Sequence, residues 1–360
     1  MTLHGPASMP PPRGDHPEYD VVVQSFVQAD RNLVGTRFPH AMRPGEAGEL
    51  RACLGAAARA CAYAVARVGD LDAQCRSNLA ERELYSRPYL LDDENLAALR
   101  VDSAAWLAFN DTNHLSLRSA LPGLALEAAW DLVSAADDQI SACLGDRPWA
   151  FDTDMGYIMS EASRCGSGLS ARITVHAPAL VLSGLAETAF KRAMEAGFVV
   201  SGSYSSLAAS GGSLFDLSLP YASRGPERDS LGRLSSAAKA IAEYERRARA
   251  ELLSKSPWDI LDTIGRAAGK AGGARLLSRD EATDICSGLR LGLACGVLEG
   301  LSLEDATDLW PGLRVKPSPS DASIGPSSQA GSEEPEAARR ATSLRLAVAG
   351  LRLSQGYIDV

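Results

Sequence analysis

The chain has 360 residues, 46% of them hydrophobic and 22% charged, the balance of an average globular protein. That balance excludes wholesale disorder, collagen-like repeats and coiled-coil fibres. The net charge of −9, from 36 basic and 45 acidic residues, argues against nucleic acid or an anionic membrane as the main partner.

Apolar runs are broken by charge well short of the roughly 18 residues that a membrane-spanning helix needs. The opening Met1-Thr2-Leu3-His4-Gly5-Pro6 has no basic segment followed by an apolar core, so no secretory signal is read and a cytoplasmic location is expected. The seven cysteines, Cys53, Cys61, Cys75, Cys143, Cys165, Cys286 and Cys295, are scattered and contain no C-x-x-C pair. Neither a disulfide framework nor a cysteine zinc site is expected; reduced thiols packed as small core residues are.

Residues 1–17 form a polar, proline-rich stretch with nothing to bury, and disorder is expected there. From Tyr19 the pattern turns apolar, and Val21-Val22-Val23 with Phe26-Val27 reads as a buried strand. Leu50, Cys53, Leu54, Ala57, Ala58 and Cys61 recur at helical spacing and predict an amphipathic helix over 46–65. A strand is expected at Ala104–Phe109 and a helix over Ala125–Leu144. In Ala171–His176 the apolar Ala171, Ile173 and Val175 alternate with Arg172, Thr174 and His176, the pattern of a half-buried strand.

A helix from Leu180 to Ala196 is expected to close before Gly197. Strands Phe198–Tyr204 and Ser213–Leu219 flank the Gly211-Gly212 pair. A long helix over Leu231–Ser254 carries a solvated charged face and ends before Pro257. Beyond it the pattern is helical at Arg279–Leu298, Leu303–Leu309 and Glu336–Leu353, with a flexible Pro-, Ser- and Gly-rich segment over 316–335. Strands within 18–220 and helices afterwards predict an α+β domain followed by a helical one.

Single motifs are uninformative. No G-x-G-x-x-G, P-loop, H-E-x-x-H or G-x-S-x-G is present, and Gly269-Lys270-Ala271-Gly272-Gly273 lacks the flanking strand and spacing of a phosphate loop. Segments taken in order say more. Gln24-Ser25-Phe26-Val27-Gln28-Ala29-Asp30-Arg31-Asn32-Leu33 resembles S-S-R-I-R-L-A-R-N-L. Asn110-Asp111-Thr112-Asn113-His114-Leu115-Ser116 resembles N-E-E-D-H-L-R. The stretch from Gly156-Tyr157-Ile158 to His176-Ala177-Pro178-Ala179-Leu180 resembles G-Y-L-T-x-C-P-T-N-x-G-T-G-L-R-A-S-V-x-x-H-L-P-A-L. Val200-Ser201-Gly202-Ser203-Tyr204-Ser205-Ser206 resembles V-R-G-x-Y-G-E, and Ser287-Gly288-Leu289-Arg290-Leu291-Gly292-Leu293 resembles S-D-V-R-L-G-I. These are motifs of the phosphagen kinases. The resemblance is to their bacterial protein-arginine kinase branch and covers residues 20–313.

The resemblance implies an antiparallel-sheet catalytic-type domain over 18–255 and an all-helical C-terminal domain over 256–360. It also implies transfer of the γ-phosphoryl group of MgATP to a guanidinium. That chemistry needs an arginine fan around the phosphates and a carboxylate base at the guanidinium. The ATP-contacting positions of the family fall on Gln24, Ser25, Phe26, Val27, Gln28, Glu83, Ser116, Ser170, Ala171, Arg172, Ser201, Gly202, Tyr204 and Ser206. Five of these, Phe26, Gln28, Ser116, Ser170 and Ser201, stand where the family has phosphate-facing arginines. The catalytic glutamates fall on Asp111 and Thr112, the second being the base, and the substrate-side cysteine falls on Glu161.

Serine and glutamine offer hydrogen bonds without charge, Phe26 brings an apolar ring, and Glu83 and Glu161 repel an anion. Arg31, Asn32, Asn110, His114, Gly156, Tyr157, Gly166, Gly168, His176, Pro178, Arg275 and Arg290 match the family and read as scaffold. The expectation is a pseudokinase with a binding or regulatory role and no bound nucleotide. By resemblance its partners would be a second copy, through the helical domain, and protein quality-control protease machinery. The branch's phosphoarginine-sensing R-D-x-x-R-A is not reproduced in Ala338–Arg345. Two alternatives stand beside this. One is an active MgATP-dependent phosphotransferase with Asp111 or Glu161 as base and Arg31, Arg118, Arg164 or Arg172 as replacement cations. The other is a binder of arginine or a cationic peptide through Glu161 and Asp111.

Overall fold

The computed structural model describes residues 16–72, 75–76, 79–80, 84–100, 104–146, 148–202, 211–220, 226–312 and 336–354. Glu83, Tyr204, Ser206, the tail before His16 and the segment 316–335 lie outside the described residues. The ordered chain reaches back into the stretch expected to be a tail: the Pro17 carbonyl accepts from the Leu124 N–H at 2.7 Å.

Strand β1 (Val22–Arg31) runs through the middle of an eight-stranded antiparallel sheet. The sheet order is β2 (Ala64–Arg67), β3 (Leu96–Leu99), β4 (Ala105–Phe109), β5 (Leu115–Pro122), β1, β8 (Leu169–His176), β10 (Leu214–Ser218) and β9 (Val199–Gly202). Between β5 and β8, β6 (Phe151–Asp152) and β7 (Gly156–Tyr157) form a small separate ribbon.

Alternation along the strands gives the sheet two unlike faces. Val27, Ala29, Leu107, Phe109, Leu115, Leu117, Ala171 and Ile173 join one large core. Helix α1 (Glu46–Ala60) supplies Leu50, Leu54, Ala57 and Ala58 to that core. At the β3–β4 edge the other face is covered by Tyr85 and by Tyr89 of the short helix α2 (Arg87–Leu91), packed on Ala97, Trp106 and Ala108. Helix α3 (Leu126–Leu144) buries Leu126, Ala129, Val133, Ala136 and Ile140 on the main core, at the spacing read from the sequence.

The predicted helix over 46–65 stops five residues early. Ala62 turns left-handed at φ 62°, and the chain then joins the sheet. The predicted helix over 180–196 is two helices, α4 (Pro178–Leu182) and α5 (Ala186–Glu195), broken at Gly184 with φ 70°. Next come α6 (Glu227–Lys255), α7 (Pro257–Gly273), α8 (Arg279–Ala294), α9 (Leu303–Gly312) and α10 (Glu336–Ala347). Gly269–Gly273, weighed above as a phosphate loop, is the last turn of α7.

The C-terminal part is not wholly helical. Two expected helices end early, and their tails pair as β11 (Leu298–Glu299) and β12 (Arg352–Leu353). A second core gathers Ile260, Ile264, Ile285, Leu289, Trp310 and Leu344.

Polar side chains tie this part to the sheet. His176, at the end of β8 and fully buried, meets the Ser287 Oγ at 2.9 Å through Nε2 and accepts from an Arg290 Nη1–H at 3.1 Å through Nδ1. Burial and the facing guanidiniums of Arg290 and Arg249 hold this imidazole well below its ordinary pKa, in its neutral form. Arg290 is itself fully buried. It also donates to the Thr307 Oγ1 and to the carbonyls of Asp20 and Tyr19. Arg246 and Arg249 of α6 hold the Asp20 carboxylate from the other side.

Candidate functional site

The polar face of β1, β8, β10 and β9 floors a groove of about 350 Å³. The register explains its composition. Gln28 stands opposite Ser170 on β8 and Arg118 on β5, and Phe26 stands opposite Arg172, which faces Ser218 on β10. Alternate residues over part of each strand therefore point into the groove. Phe26, Gln28, Ser170, Arg172, Val199, Ser201 and Ser218 line it, joined by Asp30, Met159 and Arg164. Four of the five positions assigned above to phosphate-facing arginines meet here.

The fifth, Ser116, reaches the groove through Asp30. Its Oγ–H donates to the Asp30 Oδ1 at 2.5 Å, and the Gln28 Nε2 donates to both carboxyl oxygens at 3.0 Å. The Gln28 Oε1 in turn accepts from the Arg118 Nε–H at 2.9 Å. Asp30 is only 5% exposed. Burial pushes its carboxyl above the usual range, against the opposing pull of Ser116, Gln28 and the charges of Arg118 and Arg164.

The cations around the groove are matched by carboxyls. Arg118 pairs with Asp111 at 3.3 Å and also donates to the Leu84 carbonyl. Arg164 pairs with Glu161 at 3.0 Å. The Arg172 guanidinium lies 5.1 Å from the Phe26 ring centroid, and that ring leans on Trp106. Arg118 and Arg164 are thus each paired with a carboxylate and also bear on Asp30, while Arg172 lies against an aromatic ring.

The remaining sequence-derived positions lie elsewhere. Val27 is a core residue, and Ala171 packs in the core as well while bordering the groove. The Ser25 Oγ–H donates to the Gly123 carbonyl and its oxygen accepts from the Ala125 N–H, fixing the start of α3. Gln24 stands opposite Thr174, and Gly202 opposite Phe215, neither lining the groove. Thr112 is exposed.

Arg31 is buried in a double contact with Asp137 of α3, at 2.7 and 2.8 Å, with the Tyr157 ring 3.6 Å below its guanidinium. His114 accepts from the Leu33 N–H through Nδ1 and meets the Arg37 carbonyl through Nε2, and burial lowers its pKa. Asn110 takes a left-handed φ of 55°, and its N–H donates to the His114 carbonyl. Asn32 ties Asn113 and the Ile158 carbonyl together.

Asp30 escapes a reading by motif. The available signal is a carboxyl at the one place in S-S-R-I-R-L-A-R-N-L where the pattern has alanine. Among the described residues no group of three or more His, Cys, Asp or Glu is arranged to hold a metal, and no helix is long and apolar enough to cross a membrane.

Comparison with known proteins gives the family. The model of the ATP:guanido phosphotransferase C-terminal catalytic domain matches residues 52–248. A protein-arginine kinase of Moorella thermoacetica is 31% identical over 313 residues, 84% of this chain and 88% of the relative. One of Symbiobacterium thermophilum is 31% identical over 296 residues, 79% of this chain and 82% of the relative. Among solved structures, a lombricine kinase is similar with a TM-score of 0.57 at 17% identity, covering 66% of this chain and 69% of that one. The duplicated taurocyamine kinase of Schistosoma mansoni follows at 0.55 and 17%, covering 71% of this chain and 39% of that one. These two likenesses concern the fold alone. The chain belongs to the ATP:guanido phosphotransferase family, on its protein-arginine kinase-like side.

Proposed function

We propose that this chain is a pseudokinase of its family, a binding or regulatory protein that does not hold MgATP in the family's manner. The observation that carries the reading is Asp30. A buried carboxyl occupies the inner end of the groove and takes up the donors of Gln28 and Ser116, where an arginine fan would serve a triphosphate. Nucleotide phosphates carry several negative charges and need a surplus of cations. Here two of the three nearby arginines are already paired with carboxylates. The residues present do not fit the triphosphate. Protein partners then become the expected ligands, a second copy of the chain and quality-control protease machinery among them.

Calorimetric titration with MgADP and MgATP tests this. No heat at millimolar nucleotide is expected; micromolar binding overturns the reading. One observation favours the active alternative, namely that Arg164 and Arg172 both line the groove. That alternative requires nucleotide binding and acid-labile phosphoarginine on a protein substrate, and it fails if neither appears at high protein concentration. The cationic-ligand alternative gains no support from the site, because its anchors Asp111 and Glu161 already hold Arg118 and Arg164.

A further inference from the structure

Away from the groove, two thiols touch. The Sγ atoms of Cys61 and Cys143 lie 3.2 Å apart. Cys61 directly follows the last residue of α1, and Cys143 sits in the last turn of α3, so the C-terminal ends of two packed helices meet at this pair. Cys143 is exposed and Cys61 half-buried. We propose that Cys61 and Cys143 form a redox modification site, closing to a disulfide by exchange with small-molecule disulfides and bracing α1 to α3.

Geometry carries the inference. A disulfide bond is about 2.05 Å long, so the sulfurs need to close by only roughly 1 Å, within the reach of side-chain rotation at two helix ends. An exposed member gives an oxidant access. A cation stands beside the pair as well: the Arg100 charge favours the Cys61 thiolate, and the same guanidinium is held by the Gln139 Oε1 at 3.1 Å, one turn before Cys143 on α3. Burial and the neighbouring thiol outweigh that charge and push Cys61 up to about 11. Cys143 is the exposed member and the one a small disulfide can reach, so the first attack falls to it.

The exchange balances as follows. The Cys143 thiolate attacks one sulfur of the small disulfide, forming a mixed disulfide and releasing one thiolate. Cys61 then attacks the Cys143 sulfur, and its proton passes to the second departing thiolate. Two protein thiols become one disulfide, and one small disulfide becomes two thiols.

The bridge joins residues 82 apart in sequence and removes much of the freedom of the unfolded chain between them. It also braces α3, the helix whose Asp137 holds Arg31 beside Asp30.

The test uses the full-length protein, equilibrated with oxidised or reduced glutathione, alkylated, digested and mapped by mass spectrometry. A Cys61–Cys143 cross-linked peptide is expected in the oxidised sample and not in the reduced one. The melting midpoint is expected to rise on oxidation by roughly 5–10 °C in the wild type, and not at all in Cys143→Ser, an exposed position. In Cys61→Ser, glutathione is expected to accumulate on Cys143. Recovery of both cysteines as alkylated thiols after oxidation overturns the proposal. So does arrest of the wild type at a glutathione adduct on Cys143, or a melting shift that survives in Cys143→Ser.

Discussion

In the double variant Asp30→Ala/Gln28→Arg, the inner end of the groove changes sign. Asp30 now lies 3.0 Å from the Gln28 amide, so a phosphate bound beside Gln28 would approach its carboxyl to about 5 Å. At that distance and an effective dielectric near 20, two unit charges interact by about 3 kcal/mol. Removing the repulsion and adding one attraction therefore changes phosphate binding by about 6 kcal/mol at most. Salt and water in an open groove reduce this to roughly half. The expected gain is about 3 kcal/mol, or roughly a hundredfold in Kd for MgADP. Calorimetry at low salt reads it, with circular dichroism confirming that the variant folds as the wild type does. A folded double variant that binds MgADP no better than the wild type refutes the electrostatic argument, and so does a wild type that already binds in the micromolar range.

Asp30 also governs a pH dependence. Its carboxyl pKa is raised on folding, so its stabilising contribution is complete below about pH 3.9 and is lost as pH rises through the raised folded value. Asp30→Asn does not titrate, and its urea stability relative to the wild type is expected to improve from about pH 4 upward; a difference independent of pH contradicts this. Arg290→Met leaves the Tyr19 carbonyl, His176 Nδ1 and Thr307 Oγ1 without the Arg290 donor, and leaves the Asp20 carbonyl with Arg249 alone. A loss of about 3–5 kcal/mol in urea denaturation is expected, and a loss under about 1 kcal/mol rules out the clamp. Gly168→Ala adds a Cβ 2.7 Å from the Asp30 carbonyl at a φ of 66°. The expected cost is about 2–4 kcal/mol, read as a lower melting midpoint, and an unchanged midpoint shows that the turn can relax.

Strands and helices with a clean period were legible in the sequence. The alternation of Ala171–His176 places β8 and its groove-facing Arg172, and the apolar stripe of Ala125–Leu144 places α3 almost to the residue. β3 was not legible, because Leu96-Ala97-Ala98-Leu99 is packed on both faces and carries no alternation. The break at Gly184 was hidden because helical spacing continues across it. The β11–β12 ribbon depends on pairing Leu298 with Leu353, which no local pattern announces.

The same division holds for the site. Motif order and the two-residue period bring Phe26, Gln28, Ser170 and Ser201 into one groove. Asp30 gains its meaning only from a register that sets it opposite Ser116, 86 residues away, and a lone aspartate in a strand carries no such mark. Arg118 was legible as a nearby cation, but its capture by Asp111 and Gln28 was not.

The arginine clamp on Tyr19 and Asp20 has a consequence for synthesis on the ribosome. Arg290 is made 270 residues after Asp20. At about 5–20 residues per second, that is a delay of roughly 15–50 s. Until α8 emerges, the Tyr19 carbonyl lacks its Arg290 donor, the Asp20 carbonyl has only that of Arg249, and the end of β8 lacks the Ser287 and Arg290 partners of His176. The start of the central strand is thus held first by Arg246 and Arg249 of α6 and fully clamped only once α8 is made, and a chain released between the two carries its sheet with that lock half closed.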